Sequence, residues 1–261
     1  MKPLRTGMAA VELALIILAA GTASADDKVV TWGFSTDYFS KYVWRGQNID
    51  NSSVLQPAFS ASAYGFTGSI WGNLDMTNKS KAAPDNAWEF SEFDWSLDYT
   101  TAVPEANWIS WSVGTIYYRF PNQPSPINMT TEVYTGFSLT TLPLSPSFKW
   151  YRDVEAFKGS YFQFGIGQTF DKIYSFSDSV TCALVLGASY GWGNAAYNDG
   201  YFGVNSALSN DLTLSAGLPI TVGSWTIKPS LNYSAMLSKK IQEATDKSDN
   251  FWVGLGISTT F

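Results

Sequence analysis

Phe251-Trp-Val-Gly-Leu-Gly-Ile-Ser-Thr-Thr-Phe261 reads as one extended strand with two unlike faces. Successive side chains of a strand point to opposite sides. Phe251, Val253, Leu255, Ile257, Thr259 and Phe261 therefore share one face, and Trp252, Gly254, Gly256, Ser258 and Thr260 share the other. An apolar face backed by a small, mostly polar one is the lipid-out, lumen-in pattern of a transmembrane β-barrel strand. A soluble sandwich could use the same strand at an edge or in its core.

The period of two recurs through the chain, in strands expected near 28–38, 54–64, 66–77, 88–101, 108–120, 130–142, 147–157, 160–170, 180–190, 210–220 and 225–237. The strand near 88–101 alternates most cleanly, with Phe93, Trp95, Leu97 and Tyr99 against Glu92, Asp94, Ser96 and Asp98. Near 116–118, Ile-Tyr-Tyr leaves the parity ambiguous. With the final strand this predicts an all-β fold, an antiparallel up-and-down transmembrane barrel of about twelve strands, an even number as bacterial single-chain barrels have. Each strand is near the 9–11 residues that a tilted strand needs to cross a bilayer.

Short connections at Tyr64-Gly65, 103–107, 143–146 and 221–224 alternate with longer ones near 47, 78, 121, 191 and 238. The first set suits the periplasmic side and the second the outer side. The hairpin at 158 and the connection at 171–179 break that alternation. Trp32, Trp108, Trp150 and Trp225 stand at or near the first residues of rising strands, as a ring of indoles at one membrane interface would. Outward apolar faces on every strand would over-fill the core of a sandwich.

Residues 1–25 read as a secretory signal peptide, with Lys2 and Arg5 before the apolar run Val11 to Ala20 and Ala23-Ser-Ala25 before Asp26. Gly7 to Glu12 also resembles a prepilin processing site, but strands rather than a pilin helix follow. The barrel domain is then 26–261. Losing Lys2, Arg5 and Glu12 leaves the mature chain one unit more acidic than the −6 of the whole. An acidic balance argues against nucleic acid as partner, since phosphates recruit Lys and Arg. Cys182 is the only cysteine, so no intrachain disulfide forms, and no histidine is present. That removes Ser–His and Cys–His nucleophilic pairs and the usual imidazole metal sites. No catalytic residue, cofactor or metal is expected.

The inward faces carry Glu92, Asp94, Asp98, Glu132, Asp153 and Glu155 against Lys149 and Lys228. These are expected to line the lumen as a polar network, the lysines offsetting carboxylates, because desolvated charges must be paired. Excess acid gathers cations, which suggests a narrow channel with weak cation preference. Inward Trp71, Tyr134, Tyr151 and Trp252 narrow it further, and a non-conducting structural or loop-binding barrel stays open as the alternative. Arg45 is either a constriction residue or, as the reading favours, a partner of Asp37.

Ser35-Thr-Asp-Tyr-Phe-Ser-Lys-Tyr-Val-Trp-Arg-Gly46, followed by Gln56-Pro57-Ala58, resembles the TorF-like porins, small outer-membrane barrels also known as the Gcw_chp family. That family opens on an S-D-Y-x-x-R-G-like signature and then a P-A segment, matched here by Asp37, Tyr38, Arg45, Gly46 and Pro57, with an insertion between Tyr38 and Arg45. Trp111 to Pro121 and Thr131 to Tyr134 are similar too, so the likeness covers mainly residues 30–140. The resemblance implies a channel for small polar solutes in the outer membrane of a Gram-negative bacterium, and carries over no binding residues. The terminal Phe261 resembles the signal by which such barrels reach their assembly machinery. Membrane lipid is the other expected partner.

Overall fold

Residues 30–78, 87–125, 128–177 and 179–261 are described by a computed structural model of the chain. The expected signal peptide lies outside them. The long strands are β1 (Thr31–Phe39), β4 (Val54–Ala63), β5 (Phe66–Asp75), β6 (Glu89–Val103), β7 (Ala106–Arg119), β8 (Met129–Leu139), β9 (Ser147–Asp153), β10 (Ser160–Ser177), β11 (Val180–Gly193), β12 (Leu208–Gly217), β14 (Trp225–Met236) and β15 (Asp249–Thr260). A short β13 (Ile220–Val222) continues β12 past Leu218-Pro219, where proline offers no N–H to the ladder. Between β1 and β4 lies a small hairpin, β2 (Tyr42–Trp44) and β3 (Gln47–Asp50).

Each long strand pairs antiparallel with its neighbours in sequence, and the sheet closes where β1 meets β15. Trp32 and Phe261 exchange backbone hydrogen bonds of 2.8 and 2.9 Å across that seam. Counting β12 and β13 as one strand, the result is the expected closed barrel of twelve. Closure satisfies every wall N–H and C=O without an open edge, which is what lets a sheet stand in hydrocarbon.

Side-chain parity then sorts the faces. Phe59, Ile70, Leu97, Phe137, Ile166 and Leu255 stand exposed on the outside, while Ser69 and Ser96 hydrogen-bond to each other at 2.6 Å on the inside. Trp32, Trp108 and Trp225 are exposed near the strand ends at the short-turn side, and Trp150 sits further along its strand. The ambiguous stretch of β7 resolves cleanly. Ile116 and Tyr118 are buried inward, and Tyr117 packs outside on Trp95 with centroids 5.7 Å apart.

Two departures from the sequence reading matter. The segment 171–177, read as part of a connection, belongs to β10, and Ser177 stands opposite Val180 of β11, so the alternation of short and long connections holds there. The polar segment after Gly46, read as an outer loop, is half of the β2–β3 hairpin, and that hairpin folds into the barrel.

The plugged lumen as candidate functional site

A two-residue turn, Arg45-Gly46, joins β2 to β3. Both residues have positive φ, +42° and +78°, the combination of a type I′ hairpin turn whose twist matches the flanking strands. Glycine takes this freely. At Arg45 the same conformation is strained and must be held by contacts.

Those contacts lie across the lumen. Arg45 donates from both guanidinium nitrogens to the two carboxylate oxygens of Glu132 on β8, at 3.0 and 2.9 Å. Tyr118 of β7 donates its hydroxyl to the same carboxylate at 2.9 Å. The guanidinium carbon lies over the rings of Tyr161 (4.2 Å), Tyr151 (4.5 Å), Trp44 (4.5 Å) and Tyr197 (5.7 Å). Burial works against the charge of Arg45, but Glu132, followed by Tyr197 and Tyr118, outweighs it and holds the guanidinium well above its ordinary pKa.

Tyr197 comes from α1 (Ala195–Phe202), a helix in the β11–β12 connection that packs onto the hairpin. Asn194 caps it by accepting from the backbone N–H of Tyr197 at 2.9 Å, and Gly203 closes it in the left-handed conformation at φ +67°. Asn198 is tied to the wall by Asn210, which donates to its side-chain oxygen at 2.8 Å. Tyr201 packs on Trp44 in a tilted arrangement with centroids 5.1 Å apart. Burial raises the pKa of both Tyr197 and Tyr201 above the ordinary phenol value, so both remain neutral.

The hairpin has further anchors. Tyr42 donates to Glu92 at 3.0 Å, and Asn48 donates to Asn250 at 2.9 Å. Ile241, in the short helix α2 (Lys239–Gln242) of the β14–β15 connection, is wholly buried in the same cluster. Inward residues toward the loop end, Asn73, Glu92, Asp153 and Asn210 among them, are at most 1% exposed. Toward the short-turn end the inward residues, such as Ser60, Ser96, Ser112 and Ser258, remain part-exposed. The lumen is therefore filled at its loop end, while inward side chains toward the other end keep some exposure.

The sequence-derived lumen residues separate accordingly. Glu92, Asp94, Glu132 and Asp153 lie inside and are buried under the plug. Asp153 caps the β9–β10 connection through the N–H groups of Glu155 and Phe157, at 2.9 and 3.1 Å, and accepts from Thr130 at 2.7 Å. Asp98 lies lower and accepts from Tyr134 at 2.7 Å. Glu155 is the exception: β9 ends at Asp153, and Glu155 is exposed, accepting from Thr131 at 3.0 Å.

Neither Lys149 nor Lys228 makes a close ion pair with a carboxylate among the described residues. Among the described residues the ion pairs are Arg45–Glu132 and the exposed Lys239–Glu243. The Nζ of Lys149 lies 4.9 Å from the centroid of the Tyr134 ring. Lys228 shares a rung with Asp37, the two flanking Gly256. Arg45 consequently does not pair with Asp37. Asp37 sits on β1, whereas the turn of the hairpin carries Arg45 to β8. Of the other signature residues, Tyr38 hydrogen-bonds Ser53 at 3.0 Å, and Pro57 lies in β4 opposite Thr36. Tyr161, Tyr197 and Asp211 were not foreseen in the site. Among the described residues, no group of three or more acidic or thiol side chains is placed to hold a metal ion.

No protein-family model matches the chain, and no curated protein matches it. Among solved structures, the NanC porin aligns with a TM-score of 0.51 at 11% identity, over 87% of this chain and 98% of that one. The likeness is one of fold, a closed antiparallel β-barrel. An outer-membrane channel from Pseudomonas putida F1 also aligns, with a TM-score of 0.43 and 10% identity over 92% of this chain and 98% of that one.

Proposed function

We propose that this barrel is an outer-membrane channel for small polar solutes or ions, shut at its loop end in the conformation described. The observation that carries the reading is the two-sided wall, apolar on its outer face and lined by hydroxyls and carboxylates on its inner face, with part-exposed inward side chains toward the short-turn end. The resemblance of residues 30–140 to TorF-like porins supports it. Asp37 and Asp98, which keep part of their surface exposed, add acid to the lumen, which raises cation concentration along the path. A reversal potential measured across planar bilayers in a salt gradient tests this. Cation preference is expected, and clear anion preference would reject it.

The second reading, a barrel that does not conduct, is favoured by the plug itself, where Trp44, Val54 and Ile241 have no exposed surface. Solute flux into liposomes separates the two. Residence in a Gram-negative outer membrane belongs to the same proposal. A protein that stayed soluble without detergent, and ran identically on gels whether heated or not, would defeat it.

A further inference from the structure

The guanidinium of Arg45 is held on its edge and its faces together. The edge meets both oxygens of Glu132, and the rings of Tyr151 and Tyr161 lie within 4.5 Å of its carbon. A fork matching a carboxylate, combined with aromatic faces, is the geometry that selects guanidinium over a compact ammonium.

The wall half of this arrangement also has contacts that do not involve the arginine. Tyr118 orients the Glu132 carboxylate, and Tyr161 donates to Asp211 at 2.8 Å. The rings of Tyr134 and Tyr151 pack at 5.5 Å. These residues belong to β7, β8, β9, β10 and β12, all wall strands. Arg45, by contrast, rides on a two-stranded hairpin that shares no ladder with the barrel, and its backbone is held in the left-handed region.

We propose that Glu132 with Tyr118, Tyr151 and Tyr161 is a recognition site for solutes bearing a planar guanidinium group, and that Arg45 is its tethered occupant. Binding of such a solute is independent of the channel reading above; its passage rests on that reading. A free solute enters when the hairpin withdraws, so guanidinium-bearing solutes compete with the plug.

Arg45→Ala empties the site, and methylguanidinium is the probe, with methylammonium and sodium at equal ionic strength as references. In detergent, folded R45A should gain about 3–6 °C in its unfolding temperature with methylguanidinium at ten times its dissociation constant. The references should give less than a third of that gain. R45A/E132Q should lose the response, and the wild type should respond only at higher concentration. Equal shifts with methylammonium, or an undiminished shift in R45A/E132Q, would overturn the proposal and leave the pair as a structural contact. If R45A does not yield a heat-modifiable band, Arg45→Gln, neutral and two atoms shorter than arginine, takes its place under the same criteria. Current through R45A in bilayers keeps the two readings apart. Binding without current defeats the channel and leaves the site; current without methylguanidinium binding defeats the site and leaves the channel.

Discussion

Replacing Glu132 by glutamine should unlock the plug. The substitution keeps the volume and leaves an oxygen to accept from Tyr118, but removes the charge facing Arg45. Breaking a buried ion pair by removing one partner costs about 3–5 kcal/mol, because the remaining charge is desolvated without compensation. The rings around the guanidinium persist and return up to about 2 kcal/mol. The arginine does not escape by losing its proton, since a guanidinium stays protonated in proteins. A net loss of about 3 kcal/mol follows, and it falls only on the state with the hairpin docked. At roughly 1.4 kcal/mol per tenfold change, the ratio of undocked to docked molecules rises about a hundredfold. Single-channel recording reads that ratio as open probability. A double-mutant cycle with Arg45→Gln completes the test: R45Q/E132Q leaves neither charge unpaired and should recover most of the closure lost in E132Q. An open probability for E132Q within threefold of the wild type, or a coupling between the two sites indistinguishable from zero, would refute the reasoning.

Trp44→Ala removes a side chain with no exposed surface that packs on Tyr201 and Arg45, and should weaken the plug by about 3–5 kcal/mol, seen as larger and noisier conductance with the barrel still heat-modifiable. Gly114→Ala places a methyl 2.5 Å from the hydroxyl of Tyr134, so that ring and its bond to Asp98 must shift; a loss of about 1–3 kcal/mol in urea unfolding from vesicles is expected. Leu97→Arg puts a charge on the lipid face and should cost about 2–4 kcal/mol if the residue lies at mid-bilayer, whereas Ser96→Arg next to it points into the lumen and should cost less than half as much. Equal costs for that pair would mean that the two faces have been assigned the wrong way round.

The wall was legible because its signal is repetitive. Phe93-Asp-Trp-Ser-Leu-Asp98 alternates under a constraint that acts on every residue, lipid on one side and water on the other. The same constraint explains where the pattern blurred. Ile116 is apolar yet inward because the plug covers it, so the rule of a wet lumen fails at that height. The plug itself was hidden for a related reason. Trp44-Arg45-Gly46 lacks the Asn-Gly or Asp-Gly pair that most strongly marks a type I′ turn, and the strands it joins span three and four residues. The segment 171–179 was misread because the strand there outruns the bilayer-spanning length. Placing Arg45 opposite Asp37 followed from nearness in sequence, while the actual partner is 87 residues away. Tyr161 and Asp211 could not be joined from sequence, since the barrel brings together residues 50 apart only after it closes.

The plug and the barrel use separate hydrogen-bond ladders, and this separation governs what can vary in each. β2 and β3 pair only with each other, so no rung of the wall is lost if they leave. What they do hold is side-chain chemistry: a charge pair, stacked rings, and the bonds from Tyr42 and Asn48. Each of these is worth only a few kcal/mol and each is confined to the loop end. The wall must satisfy its backbone groups internally whatever fills the lumen. Substitutions at Arg45, Glu132 or Tyr197 should therefore move the docking of the hairpin far more than the unfolding of the barrel. Substitutions at the β1–β15 seam should do the reverse. A barrel in which R45Q lowered the unfolding temperature as much as loss of a seam contact would have its plug built into its folding core, and its lumen would be a sealed interior.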